Sequence, residues 1–237
     1  MALHSDALRL RASHPRRLTA KRTIDVVASA VGLTLLIPLF IVIAIAIWVD
    51  DGGPVFYRQT RIGRMGRPFE IDKFRSMRPA IAGTQSNLTV AGDPRVTRVG
   101  AFLRRTKIDE LPQLFNVLLG EMSLVGPRPE TPDLIAHYTP PQRAVMLSLR
   151  PGMTDYASLL FRDEGVILAR ASDPARLYHE RIMPLKYQLC VRYLREGRGP
   201  STDLRIIFAT VWRVACRSAW IRHVDRALAG RVENIGG

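Results

Sequence analysis

DVVASAVGLTLLIPLFIVIAIAIWVDD, residues 25–51, carries no charged residue from Val26 to Val49. Those 24 residues exceed the 18 or so that already suggest a membrane helix. A signal peptide competes, because basic residues precede the run and Ala44-Ile45-Ala46 imitates a cleavage site. Its apolar region, however, would be about twice the usual 7 to 15 residues. An ordinary single span puts one flank outside the cell, so Lys and Arg should gather on one side only. Here Arg9, Arg11, Arg16, Arg17, Lys21 and Arg22 precede the run, and Arg58, Arg61, Arg64, Arg67, Lys73, Arg75 and Arg78 follow it. Pro38 stands mid-run, where it removes a backbone donor and clashes with the preceding turn. Each half is then about 12 residues, roughly 18 Å, or about half a bilayer core. The expectation is a re-entrant helix over residues 21–50, broken near Pro38 and returning to the face it entered from. A plain transmembrane helix that tolerates its proline stays open as the alternative.

The whole chain has 237 residues, 47% of them hydrophobic and 24% charged, which suits one ordinary domain, or one domain plus a membrane segment, and excludes disorder throughout. Two cysteines, Cys190 and Cys216, are too few for a disulfide framework, which fits a reducing compartment. A net charge of +14 and a pI near 10.9 attract polyanions, among them nucleic acid, anionic lipid and phosphorylated small molecules. The apolar run puts anionic membrane lipids first.

Downstream, PVFYRQTRIG and PFEIDKF read as two short strands joined by a Gly-rich turn, and AIAGTQSNLTVAGDP, residues 80–94, reads as a mobile loop near a site. In residues 201–220, Leu204, Ile207, Phe208, Val211, Trp212 and Ala215 make one helical stripe, with Arg205, Arg213 and Arg217 mostly opposite. Ser201, Thr202 or Asp203 could cap that helix. This is the pattern of an interfacial helix, although packing on a protein core gives the same stripe. A shorter stripe of Tyr187, Cys190, Val191 and Leu194 leaves Lys186, Arg192 and Arg195 off it. Ten basic residues against three acids from Lys186 to Arg231 suit a headgroup-facing role. The expected organisation is a basic tail (1–20), the membrane helix (21–50), a membrane-surface catalytic domain (51–222) and a loose tail (223–237). The fold class is helix-rich α/β, a monotopic membrane protein with short strands and amphipathic interfacial helices.

KIDELPQLFNVLLGEMSLVGPRP, residues 107–129, places two carboxylates side by side in this basic chain. Pro112 sits where helices begin and Gly120 where they end, with Leu114, Phe115, Leu118 and Leu119 as the expected buried face. Asp109 and Glu110 therefore stand at or just ahead of a helix N-terminus, where they could simply cap it. Arg104, Arg105 and Lys107 precede them, and Arg128 follows between the stiff Pro127 and Pro129, a placement suited to gripping a phosphate. Such a group could hold a metal ion with a diphosphate while one carboxylate attacks phosphorus.

The succession KRTIDVVASAVGLTLLIP, GPVFYRQTRIGRMGRPFEIDKFRSM, DPRVTRVGAFLRRTKIDELPQLFNVLLGEMSLVGPRPE and LRPGMTDYAS resembles the bacterial sugar transferases, the small monotopic phosphoglycosyl transferases, over residues 21–160 or so. The resemblance implies transfer of a sugar 1-phosphate from a UDP-sugar to a polyprenyl phosphate such as undecaprenyl phosphate. UMP would be released, and Mg²⁺ would be the cofactor. It further implies Asp109 as the nucleophile of a phosphosugar-aspartyl intermediate and Glu110 as its partner in metal binding or proton handling. Arg128 would be the phosphate clamp, with Arg104, Lys73 and Arg75 as further basic positions. Location would be the cytoplasmic face of the bacterial inner membrane, at the start of exopolysaccharide, lipopolysaccharide or other glycoconjugate assembly. The chain departs from the family pattern at Ile37-Pro38, where a polar residue commonly precedes the proline, and at Asp155-Tyr156, where Gly-Trp is more familiar.

A membrane-tethered basic adaptor, with the acids acting as caps, remains a rival. Nucleic-acid binding is disfavoured by the apolar run and the absence of a recognised reading motif. A polytopic transferase working through a ternary complex is disfavoured by the single hydrophobic segment. The five histidines and two cysteines show no zinc or triad spacing. The sugar, and whether the chain forms a homodimer, stay open.

Overall fold

A computed structural model describes residues 15–79, 92–196 and 199–215. Most of the 80–94 segment, the start of the N-terminal tail, Cys216 and the 223–237 tail lie outside the described residues.

Helix α1 (Pro15–Asp51) is followed by strands β1 (Phe56–Ile62) and β2 (Pro68–Phe74), then α2 (Arg98–Thr106) and a 3₁₀ turn at Ile108–Glu110. Next come α3 (Gln113–Leu119), β3 (Ser123–Val125), α4 (Pro132–Ala136), α5 (Pro140–Met146) and β4 (Gly152–Thr154). The remainder is helical: α6 (Tyr156–Leu160), α7 (Glu164–Ala169), α8 (Pro174–Leu177), a π turn at Tyr178–Ile182, α9 (Met183–Arg195) and α10 (Pro200–Ala215). β1 and β2 form the expected antiparallel hairpin, Phe56 opposite Phe74, while β3 and β4 pair in parallel. The fold is thus helix-rich α/β with two small sheets.

Helix α1 is long and apolar enough from Ala20 to Asp51 to cross a membrane. It is helical throughout, with Pro38 inside it and no interruption of the helical run. One missing N–H removes a single rung of the ladder, which neighbouring turns can carry. Both flanks are fastened to the same body. At one end Arg22 donates to the Val117 and Leu118 carbonyls at 2.6 and 2.9 Å, and Asp25 accepts from the Leu124 N–H at 3.1 Å. At the other, Ile43 and Ile47 pack with Phe74 and Leu103, Asp50 accepts from the Val99 N–H at 3.0 Å, and Asp51 pairs with Arg75. Between them Ser29 and Leu33 stay buried on the inner side, while the residues around Pro38 turn outward, with Leu35 at 74% exposure.

Phe74 anchors this second contact, stacked on Phe56 at 5.5 Å and edge-on to Phe40 at 5.0 Å. It is buried, and burying a phenylalanine contributes about 1.5–3 kcal/mol. The largest core lies beyond the strands, where Val125, Val145, Phe161, Leu168, Tyr178 and Ile206 meet. The third, smaller cluster of Phe69, Ile71, Val117 and Met122 packs α3 onto the hairpin.

Three expectations need correction. The buried side chains of α3 are Gln113, Leu114, Asn116 and Val117, whereas Phe115 and Leu119 are exposed. Asn116 takes the inward place by donating to the Glu70 carbonyl at 2.7 Å and accepting from the Asp72 N–H at 3.0 Å. Lys186 does not face solvent or headgroups but is buried in an ionic cluster. On α10 the polar side faces inward: Asp203 holds Lys21 at 2.6 Å and Tyr193 at 2.6 Å instead of capping, and Arg213 is buried. Leu204, Phe208, Val211 and Trp212 are left pointing outward at 61–70% exposure. An apolar face turned to the surroundings, over an inner one where Thr202, Asp203 and Arg213 flank the buried Ile206, fits an interfacial helix better than a core helix.

Candidate active site

The acid pair is delivered by a forced reversal of the chain. Thr97 opens α2 by accepting from the Gly100 N–H at 2.9 Å, and α2 closes at Lys107, whose φ of +61° is left-handed. A residue other than glycine held there costs about 1–3 kcal/mol, and such positions gather at functional sites. The reversal starts the 3₁₀ turn that carries Asp109 and Glu110. Neither that turn nor α3 receives a side-chain cap, and Pro112 precedes α3 with helical angles. The acids are therefore not spent on capping.

Arg128 is set by a crossing of two chain segments. The Gly126 N–H donates to the Thr154 carbonyl at 3.0 Å, and the Gly152 N–H donates to the Pro127 carbonyl at 2.9 Å. The strands meet so closely here that a Cβ on Gly152 would stand 2.1 Å from the Gly126 nitrogen. This explains why Gly-Pro-Arg-Pro and Arg-Pro-Gly occur as a pair: each glycine makes room for the other's backbone. Beyond Arg128, the Pro129 carbonyl accepts from Arg61 at 3.1 Å and the Glu130 carbonyl from the Ile62 N–H at 3.0 Å.

Glu110 takes the cations. Arg128 reaches it at 2.6 and 3.3 Å, and Lys73, near the end of β2, at 3.4 Å. Burial opposes its charge, but Arg128, Lys73 and Lys107 prevail and hold the carboxyl well below the usual carboxylate range. Asp109 receives much less. It is 6% exposed, its Oδ1 has no hydrogen-bond partner, and burial together with the Glu110 charge pushes its carboxyl up. Burial brings Lys73 down to about 8 against the pull of Glu110. The Glu110 charge drives Arg128 further up, so it is a permanent cation.

All of these groups line one cleft of about 1130 Å³, whose walls carry twelve cationic side chains against six acidic ones. Lys73, Arg104, Asp109, Glu110 and Arg128 come together in it. Pro127 and Pro129 frame Arg128 from a small neighbouring pocket. Arg104 lies on the wall with one nitrogen 3.4 Å from the Met77 sulfur. Arg75 also reaches the wall, but its guanidinium is engaged by Asp51 and ties down the end of α1. Pro38 is remote in role, within the exposed middle of α1.

Among the described residues, no group of three or more His, Cys, Asp or Glu side chains gathers as a metal cage. Mg²⁺ commonly needs only one or two carboxylates and takes its remaining oxygens from substrate phosphates and water. The partnerless Asp109 oxygen beside Glu110, in an anion-attracting cleft, fits that minimal kind of site.

Sequence reasoning missed a second ionic group on the cleft wall, formed by Lys186, Glu130, Glu164 and Tyr178. Glu130 directly follows the Pro-Arg-Pro element, which was the available signal. The π turn that aims Tyr178 inward left no pattern to read.

The sequence matches the bacterial sugar transferase family over residues 16–217. It is 46% identical over 141 residues to the UDP-glucose:undecaprenyl-phosphate glucose-1-phosphate transferase of Caulobacter vibrioides, covering 59% of this chain and 53% of that protein. The Escherichia coli K12 protein of the same name is 37% identical over 196 residues, which cover 81% of this chain and 39% of that one. The exopolysaccharide production protein PSS of Rhizobium leguminosarum is 41% identical over 148 residues, 60% of this chain and 74% of its own length. The match thus takes in about half or less of the two glucose-1-phosphate transferases.

Proposed function

Because the chain belongs to the bacterial sugar transferase family, we propose that it is a phosphoglycosyl transferase moving a sugar 1-phosphate from a UDP-sugar to undecaprenyl phosphate, with Asp109 as nucleophile. The observation that carries this reading is the contrast within the acid pair. Glu110 is fully paired with Arg128 and Lys73, while Asp109 keeps a buried oxygen without a partner in a basic cleft. A cap or an ordinary surface acid has no reason to bear that cost.

In the proposed reaction, an Asp109 oxygen attacks the phosphorus that bears the sugar, and the bond to the oxygen bridging to the uridine phosphate breaks. UMP leaves with that electron pair. Arg128 and Lys73 face the phosphoryl oxygens as their charge shifts. A phosphate oxygen of the polyprenyl acceptor then attacks the same phosphorus, the bond to Asp109 breaks, and the carboxylate is regenerated with a sugar-diphospho-polyprenol as product. Mg²⁺, held by Glu110 and Asp109 with the diphosphate, would neutralise phosphate charge. Arg104 extends the cationic wall.

The two fastened flanks of α1 support the re-entrant reading. A span would place its ends on opposite sides of the membrane, yet Arg22 and Asp50 are both bound to one polar body that cannot straddle lipid. The bare stretch around Pro38 is the part that would enter the bilayer, with the outward face of α10 lying at its surface. The site would then sit at headgroup depth on the cytoplasmic face, where a soluble UDP-sugar and a lipid phosphate can both reach it.

The test is UMP release by the full chain in lipid discs with Mg²⁺, undecaprenyl phosphate and a panel of UDP-sugars. The wild type should release UMP with at least one donor and hold a transferable phosphosugar. Asp109→Asn should lose both, by about 10³-fold or more in rate. Undiminished release by Asp109→Asn would exclude the covalent mechanism. For topology, labels at both termini should be reachable only from the cytoplasm, and a periplasmic terminus would overturn the re-entrant reading.

A further inference from the structure

The second ionic group on the cleft wall divides one lysine between two carboxylates. Lys186 is buried and meets Glu164 at 2.9 Å, Glu130 at 3.5 Å and the Tyr178 hydroxyl at 3.1 Å. Tyr178 in turn donates to Glu130 at 3.3 Å. In direct contact one lysine therefore serves two carboxylates, with Arg128 and Arg61 contributing only through the wider field. Glu130 has only 5% of its side chain exposed, whereas Glu164, at the start of α7, keeps 27% and lines the cleft. The group therefore presents a carboxylate to the cleft through Glu164. Nearby on the same wall, the Ser158 Oγ is buried without a partner.

This corner does not suit a phosphate, which a carboxylate repels. It suits a neutral polyol, because a fixed carboxylate accepts strong hydrogen bonds from hydroxyl groups. A nucleotide sugar has two such parts flanking its diphosphate, the hexose and the ribose. The hexose is the one attached to the phosphorus that Asp109 and Arg128 would handle, so UDP, which keeps the ribose and lacks the hexose, tells them apart. Arg128 grips Glu110 on the reacting side, lines the same cleft as Glu130 and Glu164, and feels the field of both. A phosphate gripped by Arg128 would carry its sugar within reach of Glu164.

Resting on the transferase reading above, we propose that Glu164, seated by Lys186, is a donor-specificity residue that accepts hydroxyl groups of the sugar ring. Ser158 offers a further hydrogen bond, and Asp109 and Arg128 handle the phosphate. Specificity built this way discriminates, because a sugar that lacks the matching hydroxyl forfeits a charge-assisted hydrogen bond to Glu164.

The experiment is equilibrium binding of UDP and of several UDP-hexoses to the full chain in lipid discs, for wild type, Glu164→Gln and Glu164→Asp. UDP alone serves as the control for folding and for the phosphate contacts. The expected result is UDP affinity unchanged within about twofold in both variants. The wild type's preferred donor should lose about 10- to 100-fold in Glu164→Gln and less in Glu164→Asp, with the donors becoming alike. Equal losses for UDP and UDP-sugar would overturn the proposal, making Glu164 structural, and so would unchanged discrimination in Glu164→Gln. A wild type that binds UDP and every UDP-sugar equally would also overturn it while leaving the transferase reading standing. A wild type that binds neither would remove that reading and this one together.

Discussion

The cleft has an ionic cluster at each of two places, and they share their charges in opposite ways. Around Lys73 and Arg128, both cations settle on Glu110, and its neighbour Asp109 is left with a bare oxygen. Around Lys186, one cation is divided between Glu130 and Glu164, with Tyr178 closing the network. In the first, unequal sharing pushes two adjacent carboxyls apart, Asp109 up and Glu110 down. In the second, sharing raises Lys186, because its two carboxylates outweigh the burial that would lower it. On the proposed reading, reactivity belongs to the cluster that leaves a group short, and anchoring to the one that spreads a single cation over both acids.

The comparison predicts that Asp109→Asn gives the largest loss of activity in the molecule, about 10³-fold or more in UMP release, without unfolding the chain. Lys186→Met should do the reverse. Two acids would face each other across a buried space, at a cost of about 3–5 kcal/mol, read as a lower midpoint in thermal or denaturant unfolding. The loss should shrink in acid, as protonation removes the repulsion. A Lys186→Met protein of unchanged stability would mean that the second cluster anchors nothing. Glu110→Gln falls between the two, because it strips Arg128 and Lys73 of their counter-charge. Their partial exposure limits the cost to about 1–3 kcal/mol, with activity falling as well.

Much of this was legible in the chain. The apolar run, the hairpin from PVFYRQTRIG and PFEIDKF, the acid pair and Arg128 between its two prolines are local patterns, set by residues close in sequence. What escaped depends on distant partners. Periodicity marked Phe115 and Leu119 as buried, but Asn116 outcompetes them by bonding to Glu70 and Asp72, some 45 residues away in the chain. Lys186 looked like a headgroup contact because its partners, Glu130 and Glu164, come from other elements. The α10 stripe was seen correctly, but its direction was settled only by Lys21 pairing with Asp203 on the opposite side.

Lys73 supplies a smaller effect with a definite sign. Burial brings it to about 8, so it loses its charge as pH rises through that value. If it helps hold the diphosphate, the KM for donor should climb above about pH 8, reaching roughly tenfold one unit higher. Lys73→Arg, which stays charged, should move that limb upward or remove it. A donor KM flat to pH 9 in the wild type would take Lys73 out of substrate binding.

The smallest effect separates an active-site acid from a structural one. Because folding raises the Asp109 carboxyl above its unfolded value, the native state binds that proton more tightly than the unfolded chain does. Below about pH 4 both states are protonated, and the group is neutral to stability. As pH rises, the unfolded chain ionises first, so native stability falls until Asp109 itself ionises, and the deficit then stays constant. Asparagine has nothing to ionise. Asp109→Asn should therefore melt with the wild type in acid but above it at neutral pH. Inactivity combined with greater stability is the signature of a carboxylate kept short of partners for its chemistry. A neutral-pH melting point below wild type would instead identify Asp109 as a group the fold relies on.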